Sequence, residues 1–99
     1  MAKYKFTKKA VEDLSEIWEY TVETWSEKQA DKYYKLLIDG CSELAKNPKL
    51  GKAYFEIYSK LFGKLCSKHI IFYRIIDKST IEIIRILHEQ MDLKNKLKE

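Results

Sequence analysis

The stretch Arg85-Ile86-Leu87-His88-Glu89-Gln90-Met91-Asp92 sets a cation, an imidazole, two carboxylates and a thioether within eight positions. Those are the materials of an active site, and their spacing decides which chemistry they could perform. A zinc-protease helix needs a second His four residues after the first; that position is Asp92, and the only other His is His69. Two His and scattered acids without ligand spacing give no reason to expect a metal. Cys41 and Cys66 lack a nucleophile signature, Ser59, Ser67 and Ser79 lack a glycine-rich elbow, and no glycine loop cradles a phosphate. No cofactor is therefore expected. Metal-free ribonuclease chemistry fits best: a base for the 2′-hydroxyl, an acid for the leaving oxygen and cations on the phosphate. Lys60, Lys64, Lys68, Tyr73, Arg74, Arg85 and His88 are the types it uses. The plainer reading pairs Arg74 and Arg85 with acids such as Glu82 and Asp92, and docks Met91 and Leu93 on the sheet to hold a tail.

These residues need elements to carry them. "AKYKF" alternates basic with small or apolar residues and reads as an edge strand whose lysines discourage further pairing. Thr7 then caps a helix from Lys8 to Trp25, with Val11, Leu14, Ile17, Trp18, Val22 and Trp25 at three- and four-residue steps. Glu12, Asp13, Glu16, Glu19 and Glu23 give it an acidic outer face. Ser26 with Gln29 forms a capping-box pattern for a second helix that Pro48 ends. So short a link predicts an antiparallel helical hairpin. Residues 49–59 read as irregular. Strands follow at about Lys60–Cys66, His69–Ile76 and Thr80–His88, with Asp77-Lys78-Ser79 as a polar turn. "LKNKLKE" reads as a short helix or a frayed end.

Strand alternation places His69, Ile71, Tyr73 and Ile75 on one face and Ile70, Phe72, Arg74 and Ile76 on the other. In the last strand Ile81, Ile83, Arg85 and Leu87 oppose Glu82, Ile84, Ile86 and His88. Both faces are largely apolar, which leaves open which one meets the helices. The hairpin covers one; the tail, a second subunit or a partner must cover the other.

Bulk properties narrow the class. At 99 residues, the chain is expected to form one α+β domain, 1–99. Two cysteines are too few for a disulfide scaffold and imply reduced thiols in a cytoplasmic protein. The opening "MAKYKFTKKA" has no apolar signal core and no run is long enough for a bilayer, so no membrane role is expected. Residues 1–59 hold ten Lys/Arg and ten Asp/Glu; residues 60–99 hold nine and five, so the whole excess of +4 lies in the second part. That excess suits solubility or an anionic partner.

Four stretches, in order and in register, carry a family resemblance: "AVEDLSEIWEYTVETWSEKQADKY", "LAKNPKLGK", "KHIIFYRI" and "IIRILHEQMDLKNKL". Together the chain resembles the ParE toxins of the RelE/ParE superfamily, from bacterial type II toxin–antitoxin modules. The resemblance implies a β-α-α-β-β-β order with the helical hairpin packed on a small antiparallel sheet. It also implies a growth-arresting toxin, not an enzyme, that poisons DNA gyrase and is held in a hetero-oligomer by a cognate antitoxin. No sequence-specific nucleic-acid binding by the toxin alone is expected. The target-binding candidates are Tyr73, Arg74, Arg85, His88, Met91 and Asp92; the antitoxin-binding candidates are Trp18, Trp25, Tyr33, Phe72 and Leu93. The superfamily's RelE branch cleaves mRNA on the ribosome, which is the alternative, with an inactive member serving only as a binding partner as a third. Here Glu89 and Asp92 would repel a phosphate, and the tail lacks the Arg or Tyr a nuclease wants. The chain also departs from the family in having Tyr58 and Phe62 where many members have Arg, and Lys52 after Gly51.

Overall fold

Two side-chain caps open the helical hairpin. Thr7 Oγ1 accepts the Ala10 N–H at 3.1 Å and starts α1, Lys8–Thr24; Ser26 Oγ accepts the Gln29 N–H at 3.0 Å and starts α2, Glu27–Lys46. Each cap satisfies a backbone donor that has no partner inside its helix. The computed structural model describes residues 2–99. Around the hairpin lie β1 (Lys3–Phe6), a 3-10 turn (Pro48–Leu50), β2 (Lys52–Ala53), β3 (Phe62–Cys66), β4 (His69–Asp77), β5 (Thr80–His88) and a short α3 (Leu93–Leu97).

The sheet order is β1-β5-β4-β3-β2, and β1 runs parallel to β5 while the other neighbours are antiparallel. The expected antiparallel sheet is β3-β4-β5, β1 joins it as a parallel edge strand, and β2 is a fifth strand inside the segment expected to be irregular. Ser67, at φ 59°, and Lys68 join β3 to β4 in a two-residue turn. Asp77 Oδ1 accepts the Ser79 N–H at 2.9 Å and closes the β4–β5 turn; that donor holds the Asp77 carboxyl below its usual range.

Ala10, Leu14, Leu37, Cys41, Leu44, Ile71, Tyr73, Ile81, Ile83 and Ile86 form the core between hairpin and sheet. Burial pushes the Cys41 thiol up to about 12, so it packs as an apolar group and forms little thiolate. Tyr73 is held at both ends: its O–H donates to the Pro48 carbonyl at 2.6 Å and accepts the Gly51 N–H at 3.0 Å. A Cβ on Gly51 would drive into that phenol, which explains the glycine.

The other face carries a second core of Leu61, Ile70, Phe72, Leu87 and Leu97, joined by Tyr54, Ile57, Ile84 and Leu93. The chain covers it with its own residues 54–61 and with α3, so no antitoxin is needed there. Asp92 caps α3, accepting the Asn95 N–H at 3.4 Å, instead of pairing with a cation.

The alternation expected for β5 fails at one point. Tyr73 is opposite Ile83 and Phe72 is opposite Arg85, which leaves Ile84 as an extra, bulged residue. The bulge turns Ile86 to the helix face with Ile81 and Ile83, and Leu87 to the second core.

Candidate functional site: a cleft along the open edge of β5

β1 accompanies β5 only from Thr80 to Ile83, because Thr7 then turns the chain into α1. Past that point the β5 edge has no neighbouring strand. Thr7 bridges the change: its N–H donates to the Ile83 carbonyl at 3.0 Å and its hydroxyl to the Ile84 carbonyl at 2.7 Å. One turn along α1, Asp13 leans onto the bare edge and accepts the Ile86 N–H at 3.0 Å.

Arg85, swung outward by the bulge, completes this junction. Its Nε and Nη2 donate to the two Asp13 oxygens at 2.8 and 2.9 Å, and its Nη1 donates to the Lys96 carbonyl on α3 at 2.8 Å. The fork joins α1, β5 and α3 in one bidentate contact. Its hydrogen bonds to Asp13 raise the guanidinium pKa further, and only 8% of the residue meets solvent. The expected partner, Asp92, is therefore replaced by Asp13, 72 residues away in sequence.

At the end of β5, His88 sits opposite His69 of β4, the ring centroids 5.2 Å apart and edge-to-face. Glu89 N–H bonds the Lys68 carbonyl at 2.9 Å, so the next pair inward, His69 and His88, is a close, non-hydrogen-bonded one. His88 Nδ1 accepts the Gln90 N–H at 3.1 Å, which puts the proton of the neutral ring on Nε2. The Tyr33 oxygen accepts the Lys68 N–H at 3.3 Å and shares a hydrogen bond with His69 Nδ1 at 2.6 Å. Burial, with His88 nearby, lowers the His69 pKa to about 4, and burial also raises that of Tyr33. Both imidazoles thus have Nδ1 engaged in a hydrogen bond.

These groups open into a cleft of about 820 Å³ between the end of α1, the start of α2, the β3–β4 turn and the segment after β5. Trp25, 75% exposed, and Tyr20, 67% exposed, stand on its α1 wall. Of the residues selected from sequence, Trp25, Tyr33, Arg85, His88 and Met91 all line this cleft. Met91 is exposed there and is not docked on the sheet as the tail-anchoring reading required. The rest lie elsewhere. Tyr73 is in the helix-side core, Leu93 is half-buried in the second core, and Arg74 pairs on the surface with Glu82 at 3.2 Å. Phe72, 0% exposed, presents nothing to an antitoxin and is corrected to a core residue. Trp18 lines a different groove, where its indole N–H donates to Asp31 at 3.0 Å.

Sequence reasoning missed His69, Asp13 and Tyr20 as parts of this site, while Lys68, named there among the cations for a phosphate, does line it. His69 was recoverable: strands ending at His69 and His88, joined by a turn at 77–79, place the two rings opposite each other. Among the described residues no three His, Cys, Asp or Glu side chains gather as metal ligands would. No helix among them is long and apolar enough to cross a membrane.

The description "ParE toxin of type II toxin-antitoxin system, parDE" matches residues 4–93. Toxin ParE1 of Mycobacterium tuberculosis is 34% identical, covering 97% of this chain and 98% of its own. Toxin ParE of Escherichia coli is 33% identical over 98% and 94%. Among solved structures, the chromosomal ParDE toxin–antitoxin system of P. aeruginosa superposes with a TM-score of 0.75 at 20% identity, covering 89% of this chain and 96% of that one. The RelBE2 toxin–antitoxin complex of Mycobacterium tuberculosis superposes with a TM-score of 0.68 at 20% identity, over 89% and 98%. The chain belongs to the ParE family of type II toxins, and its fold is the one ParDE and RelBE toxins share.

Proposed function

We propose that the protein arrests growth by binding and poisoning DNA gyrase in the cytoplasm, and that a cognate antitoxin neutralises it. The observation that carries the binding mode is the commitment of Arg85. It is the most deeply set cation of the cleft, and Asp13 holds it at 2.8 and 2.9 Å, so it is not free for a phosphate in flight. Arg74 is likewise matched to Glu82, and each imidazole has its Nδ1 held in a hydrogen bond. Direct RNA cleavage would need all three services at once.

The antitoxin has a seat in a groove of about 460 Å³ lined by Phe6, Val11, Leu14, Trp18 and Tyr34. An amphipathic segment that lays its apolar side there would fold on binding. Purified protein is added to a gyrase supercoiling reaction with ATP, and separately to a translation reaction probed for cut mRNA. Gyrase-dependent DNA breaks with intact mRNA are expected. Cut mRNA with unaffected gyrase selects the RelE-like alternative, and silence in both without growth arrest selects the inactive binding partner.

A further inference from the structure

We propose that the β5-edge cleft binds a nucleoside phosphate, with the phosphate on the Nε2–H groups of His69 and His88 and the base against Trp25. Both Nδ1 atoms are occupied, and no hydrogen bond reaches either Nε2 from the described residues. Among those residues no buried side-chain nitrogen or oxygen is without a partner. Both Nε2 atoms therefore meet solvent, and both residues line the cleft. The ring centroids are 5.2 Å apart, so the two imidazoles stand side by side at the cleft.

The surrounding charges fit that orientation. Lys68 adjoins His69 on the sheet side of the cleft. Of the acids that line the cleft, Asp13 already carries the Arg85 fork, and Glu89 and Asp92, the tail acids that would repel a phosphate, are not among its lining residues. Glu16 stays on the α1 wall, which directs the anionic end of a ligand to the imidazoles and away from α1.

Two planar side chains then have a use. Trp25 and Tyr20 are the two most exposed large apolar residues of the chain's described part and take no part in either core. Aromatic faces stack nucleobases, whereas an acidic peptide would need only the donors and Lys68. The cleft volume, about 820 Å³, lies in the range of small-molecule sites.

The test follows the histidine side-chain NMR signals of the whole chain during titration with 5′-AMP, inorganic phosphate, adenosine and acetate. AMP is expected to move both imidazole signals and to raise their titration midpoints, because an oxyanion favours the imidazolium form. Trp25→Ala, at a solvent-exposed residue, is expected to weaken AMP by about tenfold and to leave inorganic phosphate unchanged. His88→Gln is expected to weaken both phosphates, and adenosine to bind more weakly than AMP. Unmoved imidazoles at saturating AMP overturn the site. Adenosine binding as tightly as AMP overturns the phosphate seat, and equal weakening of AMP and phosphate in Trp25→Ala overturns the base seat. Acetate competing on equal terms with AMP overturns the nucleotide in favour of a carboxylate-bearing partner.

Discussion

The two faces of the sheet are equally apolar but are closed in different ways. One is sealed by two capped helices of 17 and 20 residues. The other is sealed by residues 54–61, largely without regular structure, and by the five-residue α3. A helix that short is not stable alone. It stays in place through Leu97 in the second core and through the Arg85 fork onto the Lys96 carbonyl. The first face stands on packing along long elements. The second depends on one buried ion pair that also holds α1 to the open edge of β5.

That contrast can be broken most severely at Arg85. Arg85→Ala leaves Asp13 buried and unpaired, so urea denaturation is expected to show a loss of about 4 kcal/mol. Asp13→Ala combined with it should return part of that loss; a fully additive double mutant would show that the pair is not coupled. Leu37→Ala, in the helix-side core, is expected to cost about 3 kcal/mol with the whole domain losing hydrogen-exchange protection together.

Acid strikes between the faces, at the His69–Tyr33 contact. The folded pKa of His69 is about 4, below its unfolded value of 6.5, so the unfolded chain binds the extra proton in that window. The neutral ring's contribution is complete above pH 6.5 and is lost as pH falls toward 4. Roughly 2 kcal/mol is at stake, discounted for partial exposure of the ring. His69→Gln should flatten the pH dependence of Tm in that range, and an unchanged slope would assign it to other groups.

Leu97→Ala is the local counterpart of Leu37→Ala. About 1.5 kcal/mol is expected, at the low end for a core truncation, because its site lies on a five-residue helix that can relax. Exchange protection should fall around α3 and the second core while α1 and α2 keep theirs; uniform loss would mean that the faces are not independent. The smallest effect is a gain. Ser67 holds φ at 59° in the β3–β4 turn, so Ser67→Gly should raise stability by about 0.5 kcal/mol in thermal melts.

Much of this architecture was legible because it is local. Thr7 and Ser26 announced the two helices, the 3.6-residue period of Leu14, Leu37 and Leu44 gave their buried sides, and β-branched runs gave β4 and β5. β2 was not legible, since two residues have no period. The bulge at Ile84 was not either: it arises where β5 leaves β1, and it reverses the facing of every later residue in the strand. The site suffered most from this. Arg85 and Asp13 meet only because the bulge turns one outward and the Thr7 cap aims the other, and neither signal is readable from spacing. What sequence did supply was the imidazole, the tyrosine and the exposed tryptophan, without their shared location.

The parallel pairing of the first strand with the last has a consequence during synthesis. Thr7 and Ile84 bond across 77 residues, so β1 must wait for almost the whole chain to be translated before it finds its place. Contacts that distant in sequence form late and slow folding. A nascent chain holds the helical hairpin early, but neither the β5 edge nor the cleft beside it exists until the ribosome has delivered the last strand. The cleft is therefore a product of the completed sheet and not of the helical hairpin alone.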